Sequence, residues 1–212
     1  TMRTKTLLIT AAIGAAAAVA TQAQVYSVNA VGYINLTAKP GFNLVANQLN
    51  PADATVTAVL AGVPGGTTVY KYDPATGYGI NTYDDLFEEW ENPAQTVEPG
   101  EGFWLRNPGA EDLTITLVGE VPQGTLSMDL AAGFNLVSSM VPQAGGLVTD
   151  LGFTPGDGDV VYTYDPADGY FISAWDELFG EWDNGEPQVG VGAGFWIRSA
   201  AGGTWTRDFS VN

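Results

Sequence analysis

The sequence predicts an all-β protein made of two tandem homologous β-sandwich or barrel-like domains, each with at most one short helix. Three observations predict it. The chain has 27 glycines and 12 prolines to close turns, beside nine Tyr, nine Phe and six Trp, which favour strands. No apolar period of 3.6 residues is sustained after residue 25. Residues 41–106 align on residues 133–198 without a gap, at an offset of 92, with 30 identities in 66 positions. Such a duplication gives both copies one fold. Two copies are too few for a solenoid whose units cannot fold alone, so each is expected to close its own core.

The chain opens with a secretory signal pattern over residues 1–23. Arg3 and Lys5 precede an apolar run from Leu7 to Ala20, and small residues lie at Ala18, Ala20, Thr21 and Ala23. The run is too short and alanine-rich for a membrane span, so none is expected after signal removal. The mature chain is then divided into repeat 1, residues 24–120, and repeat 2, residues 121–212. Within a copy, Phe42–Asn47 reads as a strand entered through Gly41, and Ala54–Leu60 as a short helix or turn. Thr67–Tyr72 is a strand stopped by the turn pair Asp73-Pro74. Tyr78–Tyr83 and Glu88–Glu91 read as a hairpin around Asp84–Phe87. Gly102–Arg106 follows the turn at Pro99-Gly100. In Leu113–Val118, Leu113, Ile115 and Leu117 alternate with threonines. Phe42, Leu44, Val69, Leu86, Phe87, Phe103 and Leu105 are the expected core, with their partners 92 residues on.

Composition excludes several chemistries. With no Cys and no His, the chain has no disulfide, no thiol nucleophile, no Cys/His zinc site and no histidine base. Loss of residues 1–23 removes two of the seven basic residues and none of the 24 acidic ones, which leaves a net charge of −19. That field repels nucleic acid and anionic membrane surfaces and favours cations and basic surfaces. It also keeps an exported protein soluble.

The acidic-aromatic hairpins, Tyr83–Glu91 and Trp175–Asp183, are where chemistry could reside. Paired carboxylates can hydrolyse glycosides, but here they crowd one short hairpin with no arrangement around a sugar, so no catalytic residue is assigned. The aromatic residues Tyr78, Tyr83, Trp90, Tyr170, Trp175 and Trp182 are candidate ligand-binding residues, stacking on sugar rings if exposed. Tyr83–Trp90 and Trp175–Trp182 equally make structural cross-strand pairs. Asp157 and Asp159, in Gly156-Asp157-Gly158-Asp159, are candidate calcium ligands, though copy one has Gly65-Gly66-Thr67 there and turn chemistry explains the string without a metal. No cofactor is otherwise implied. Arg106 and Arg198 recur at one position and are expected to pair with a carboxylate or cover a ring.

The ordered set Gly-Phe-Asn-Leu-Val, Val-Tyr-x-Tyr-Asp-Pro and Gly-x-Gly-Phe-Trp-Leu/Ile-Arg resembles a tandem β repeat of bacterial and archaeal secreted and surface-layer-type proteins, over nearly all of residues 25–212. The resemblance implies a secreted location, periplasmic, cell-surface or extracellular, and carries over no catalytic residue or ligand.

The functional expectation is an exported, non-enzymatic structural or interaction protein of the cell surface or extracellular matrix. Its partners would be other copies of itself or other surface proteins. The alternative is a tandem carbohydrate-binding module that takes glycans on the hairpin aromatics. Tyr26-Ser27-Val28-Asn29 and Phe209-Ser210-Val211-Asn212 are similar strings at the two ends. Head-to-tail strand addition follows if Val25–Asn29 pairs beside another molecule's C-terminal domain. Packing of that segment on its own first domain is the competing expectation.

Overall fold

The structure is a computed structural model and describes residues 30–211. The signal segment, residues 1–23, and the Val25–Asn29 string lie outside the described residues, as does Asn212.

The described chain is all-β and internally duplicated. Repeat 1 comprises β1 (Val31–Ala38), β2 (Gly41–Ala46), the helical turn α1 (Val56–Val59), β3 (Thr68–Asp73), β4 (Gly77–Asp84), β5 (Glu89–Trp90), β6 (Gly102–Asn107) and β7 (Leu113–Glu120). Repeat 2 comprises β8 (Gly124–Leu130), β9 (Gly133–Ser138), β10 (Gly145–Gly146), β11 (Val160–Asp165), β12 (Gly169–Asp176), β13 (Glu181–Trp182), β14 (Gln188–Val189), β15 (Gly194–Ser199) and β16 (Gly203–Phe209). Each repeat builds a five-stranded antiparallel sheet, ordered β2-β6-β3-β4-β5 in the first and β9-β15-β11-β12-β13 in the second. Each adds a two-stranded ribbon, β1 with β7 and β8 with β16. The C-terminal strand, with Trp205 opposite Met128, is therefore paired inside its own molecule.

Local chemistry explains the elements. Gly41 and Gly133 have φ of 90° and 98°, conformations open to glycine, and each starts a strand. Two residues on, the Asn43 amide donates to the carbonyls of Lys39 and Gly41 and accepts from the Lys39 N–H. Asn135 does the same with Ala131 and Gly133. The recurring Gly-Phe-Asn is thus a backbone brace. Asp73 and Asp165 close the β3–β4 and β11–β12 turns by accepting from the amides two and three residues on, Ala75 and Thr76 in the first and Ala167 and Asp168 in the second. Thr55 caps α1 by accepting from the Ala58 N–H.

Each ribbon packs on one face of its sheet. In repeat 1, Ile34, Leu36, Ile115 and Leu117 of the ribbon meet Val45, Val69, Phe103 and Leu105 of the sheet, with Leu49, Leu60 and Trp90. In repeat 2, Leu130 and Trp205 meet Val137, Val161, Phe195 and Ile197. Each copy therefore has a core of its own.

A third apolar cluster joins the repeats. Leu44, Leu136 and Trp196 are buried there, with Tyr72, Trp104, Tyr162 and Tyr164 packed round them. These side chains stand on the sheet faces turned away from the ribbons. The joint has a local two-fold symmetry, visible in the numbering. Ala46 N–H donates to Gly192 O at 2.9 Å, and the equivalent Ser138 N–H donates to Gly100 O at 2.8 Å. At its centre, a Cβ on Gly102 would stand 2.5 Å from Val137 O, and one on Gly194 2.7 Å from Val45 O. Glycine is what lets the two backbones touch.

Several expected core residues lie elsewhere. Phe42 and Phe134 are exposed on the outer sheet faces, because the strand alternation sends Asn43 and Val45 inward instead. Leu44 is buried, but between the repeats. Leu86 and Phe87 are 81% and 69% exposed, and Leu178 and Phe179 are 86% and 71% exposed. They sit in turns beyond the sheet edge, where no core lies beneath them.

Two predictions follow from this packing. Phe103→Ala should cost about 3–5 kcal/mol of stability, since the ring is fully buried. Because the third cluster couples the repeats, its calorimetric trace should keep one transition at a lower midpoint; two resolved transitions would show that the cores melt independently. Gly102→Ala should also lower the midpoint, through the clash with Val137 O, whereas Gly77→Ala would act only through its positive φ, having open space around it.

Candidate functional site: paired aromatic grooves between the repeats

The outer face of each sheet is tiled with rings because both faces of its central strands are apolar. On β3, Val69 points to the core and Tyr70 and Tyr72 point out; on β6, Phe103 points in and Trp104 out. Register aligns Leu44, Trp104, Tyr70 and Ile80 across four strands, with Tyr72 opposite Tyr78. Repeat 2 aligns Leu136, Trp196, Tyr162 and Ile172, with Tyr164 opposite Tyr170.

When the two faces meet, each tryptophan enters the other repeat's tyrosines. Trp196 lies edge-on to Tyr72, with centroids 4.9 Å apart at 71°, and Trp104 lies edge-on to Tyr164, at 4.9 Å and 74°. Such T-shaped contacts add about 0.5–1.5 kcal/mol each beyond area burial. The sheets do not cover each other completely, and among the clefts left at the joint are two grooves lined by rings. One, of about 520 Å³, is lined by Phe42, Tyr70, Tyr78, Ile80 and Trp104 with Tyr164 and Tyr170 from the other repeat. The other, of about 440 Å³, is lined by Phe134, Tyr162, Tyr170, Ile172 and Trp196 with Tyr72 and Tyr78. Tyr78 and Tyr170 line both grooves, and they are 52% and 50% exposed. The polar side-chain atoms of these linings are phenol hydroxyls and indole N–H groups.

Five basic side chains occur among the described residues. Lys39 pairs with Asp112, Lys71 pairs with Glu101, and Arg207 donates to Gln143. Arg106 and Arg198 are exposed and make no ion pair or side-chain hydrogen bond, so the carboxylate pairing that was one expectation for them is not found. Each shares a strand face with the groove tryptophan two residues before it and stands directly opposite Phe42 or Phe134. Each groove thus has an uncompensated cation on its own face.

The six aromatic candidates divide. Tyr78 and Tyr170 line the grooves. Tyr83 and Trp175 are half-buried on the opposite ends of their strands, each paired with the hairpin tryptophan, at 5.6 Å and 5.4 Å between ring centroids. Trp90 and Trp182 are only 2% and 7% exposed and belong to the two repeat cores. They are not surface platforms, because β5 and β13 turn them under the sheet edge. The groove residues Phe42, Tyr70, Trp104 and Tyr164 were not anticipated. Their signal was in the sequence: consecutive large residues on one strand, such as Val69-Tyr70 and Phe103-Trp104, mark strands buried on both faces.

Asp159 is buried, and its carboxylate accepts from the Gly156 and Ala200 amides and the Ser199 hydroxyl. Asp157 accepts from the Glu177 N–H. These oxygens brace loops, Asp159 from a buried position and Asp157 from an exposed one. Among the described residues no group of three or more carboxylates is placed to hold a metal ion.

No family model matches the chain, and neither curated proteins nor solved structures contain a match to it. The resemblance to surface-layer-type repeats rests on its motifs alone.

Burial in the grooves raises the Tyr78 and Tyr170 phenols above the usual value, and for Tyr170 the neighbouring Tyr78 and Tyr164 add to it. A raised phenol favours folding fully below pH 10, and that contribution fades as the pH climbs through the raised values. Absorbance titration at alkaline pH should therefore show two late-ionising tyrosines, lost together in Tyr78→Phe/Tyr170→Phe. A tyrosine titration unchanged by the double substitution would remove the groove as its cause.

Proposed function

We propose that this chain is an exported, non-enzymatic interaction protein that captures apolar side chains of protein partners in its paired aromatic grooves. The observation that carries the reading is the pair of grooves itself: exposed rings, held rigidly by edge-to-face packing, with an exposed arginine on each groove face. Rigid aromatic side chains give large contact area at little cost in conformational entropy, which is why they dominate binding surfaces. Arginine beside them selects partners with a carboxylate near the apolar group.

A glycan reading has less support. The hairpin tryptophans it needed are buried, and the groove linings lack the amide and carboxylate side chains that orient sugar hydroxyls. The expectation of export follows from the signal pattern, and that of a surface or matrix location from the resemblance of the motifs to surface-layer-type repeats.

An array of acidic peptides carrying paired aliphatic and aromatic residues, run beside a glycan array with and without calcium, tests the reading. The wild type should retain peptides, and Tyr78→Ala/Tyr170→Ala should lose at least tenfold in affinity while keeping its fold by circular dichroism. Glycan binding that survives this double substitution, with no peptide retained, would overturn it.

A further inference from the structure

The grooves have a counterpart on the same molecule. The β4–β5 hairpin of repeat 1 ends in Asp84-Asp85-Leu86-Phe87-Glu88-Glu89, and the β12–β13 hairpin ends in Asp176-Glu177-Leu178-Phe179-Gly180-Glu181. In each, the first aspartate accepts from the amides of the leucine and the phenylalanine, which fixes the turn. Glu88, at φ 57°, takes a left-handed conformation where repeat 2 has Gly180 at φ 66°. Both tips thus hold one backbone shape, and each presents a leucine and a phenylalanine almost fully to solvent between carboxylates.

We infer that these tips are plugs for the aromatic grooves of a second copy of this chain. The inference rests on the grooves being protein-binding surfaces, and it names their partner. Three features argue for it. The chemistry matches: an aliphatic and an aromatic side chain meet a ring-lined cleft of about 440–520 Å³. The charges match: carboxylates flank each plug, and the two described cations free of any partner, Arg106 and Arg198, flank the grooves. The geometry sends the plug outward: Ile80 of the groove and Asp84 of the tip lie on one strand, four residues or about 13 Å apart. A hairpin this short cannot fold back into the groove from which it extends, and no tip residue lines either groove of its own molecule.

A plug on one surface and a socket on another make a heterologous contact, which propagates unless it closes. Two plugs and two sockets per chain allow each molecule to hold more than one neighbour. Charge confines the fit to this pairing, since most of the remaining surface of one acidic copy repels another.

The test uses the mature chain, residues 24–212, followed by light scattering from micromolar to millimolar concentration. The wild type should rise to at least twice the monomer mass. Leu86→Ser/Phe87→Ser/Leu178→Ser/Phe179→Ser removes the plugs, and Arg106→Glu/Arg198→Glu reverses the sockets. Each alone should stay at the monomer mass, with an unchanged melting midpoint because the altered side chains are exposed. An equimolar mixture should regain mass, since one variant keeps the sockets and the other keeps the plugs and would then meet a matching surface. A wild type that remains monomeric throughout, or variants that assemble as it does, overturns the inference. The plug-less variant tells that failure from failure of the groove reading: its grooves are intact, so it should still bind acidic aromatic peptides even if self-docking is wrong.

Discussion

The edge-to-face contact of Trp196 with Tyr72, repeated as Trp104 with Tyr164, organises the molecule. It requires each sheet to carry large side chains on both faces. One face then closes a core against its own ribbon, and the other is left to meet its duplicate. The duplicate supplies the same surface by construction, so the joint is self-complementary, as in an isologous dimer interface. Gly102 and Gly194 let the backbones approach at the centre, and the reciprocal hydrogen bonds from Ala46 and Ser138 fix the angle.

That joint explains how a protein without disulfides stabilises two small domains. Each repeat alone has the limited core expected of roughly 90 residues. The third cluster adds buried apolar area that neither repeat could provide alone, about 25 cal/mol for each Å² removed from water. The grooves are a by-product of the same packing. Two twisted sheets meeting near one edge cannot cover each other's full width, so the outlying side chains of Phe42, Tyr78, Ile80 and their counterparts remain accessible.

The hairpin tips show the opposite use of apolar residues. Leu86 and Phe87 would read as core by composition, yet aspartate capping of their amides stiffens a turn that reaches past the sheet. Exposed apolar residues of this kind are a liability unless something covers them. Dense flanking carboxylates restrict what could do so, and the docking inferred above, onto grooves flanked by arginine, would meet that restriction.

The sequence by itself determined the all-β class, the duplication, the central strands of each copy and the absence of cysteine and histidine chemistry. These depend on alternation, turn residues and composition, which are local. It missed the β1 and β8 ribbon strands as partners of β7 and β16, since pairing across some eighty residues leaves no local mark. It left Trp90 and Trp182 open between a sugar platform and a cross-strand pair, and the structure pairs them with Tyr83 and Trp175 and buries them. It put Leu86, Phe87 and Phe42 in the core, and the structure exposes all three. Whether a ring is buried depends on what lies opposite its strand face, and that is a property of packing. The grooves likewise exist only because one copy docks on the other: Tyr78 was legible as a candidate from its position, but its neighbours Trp104, Tyr164 and Tyr170 come together only through tertiary structure.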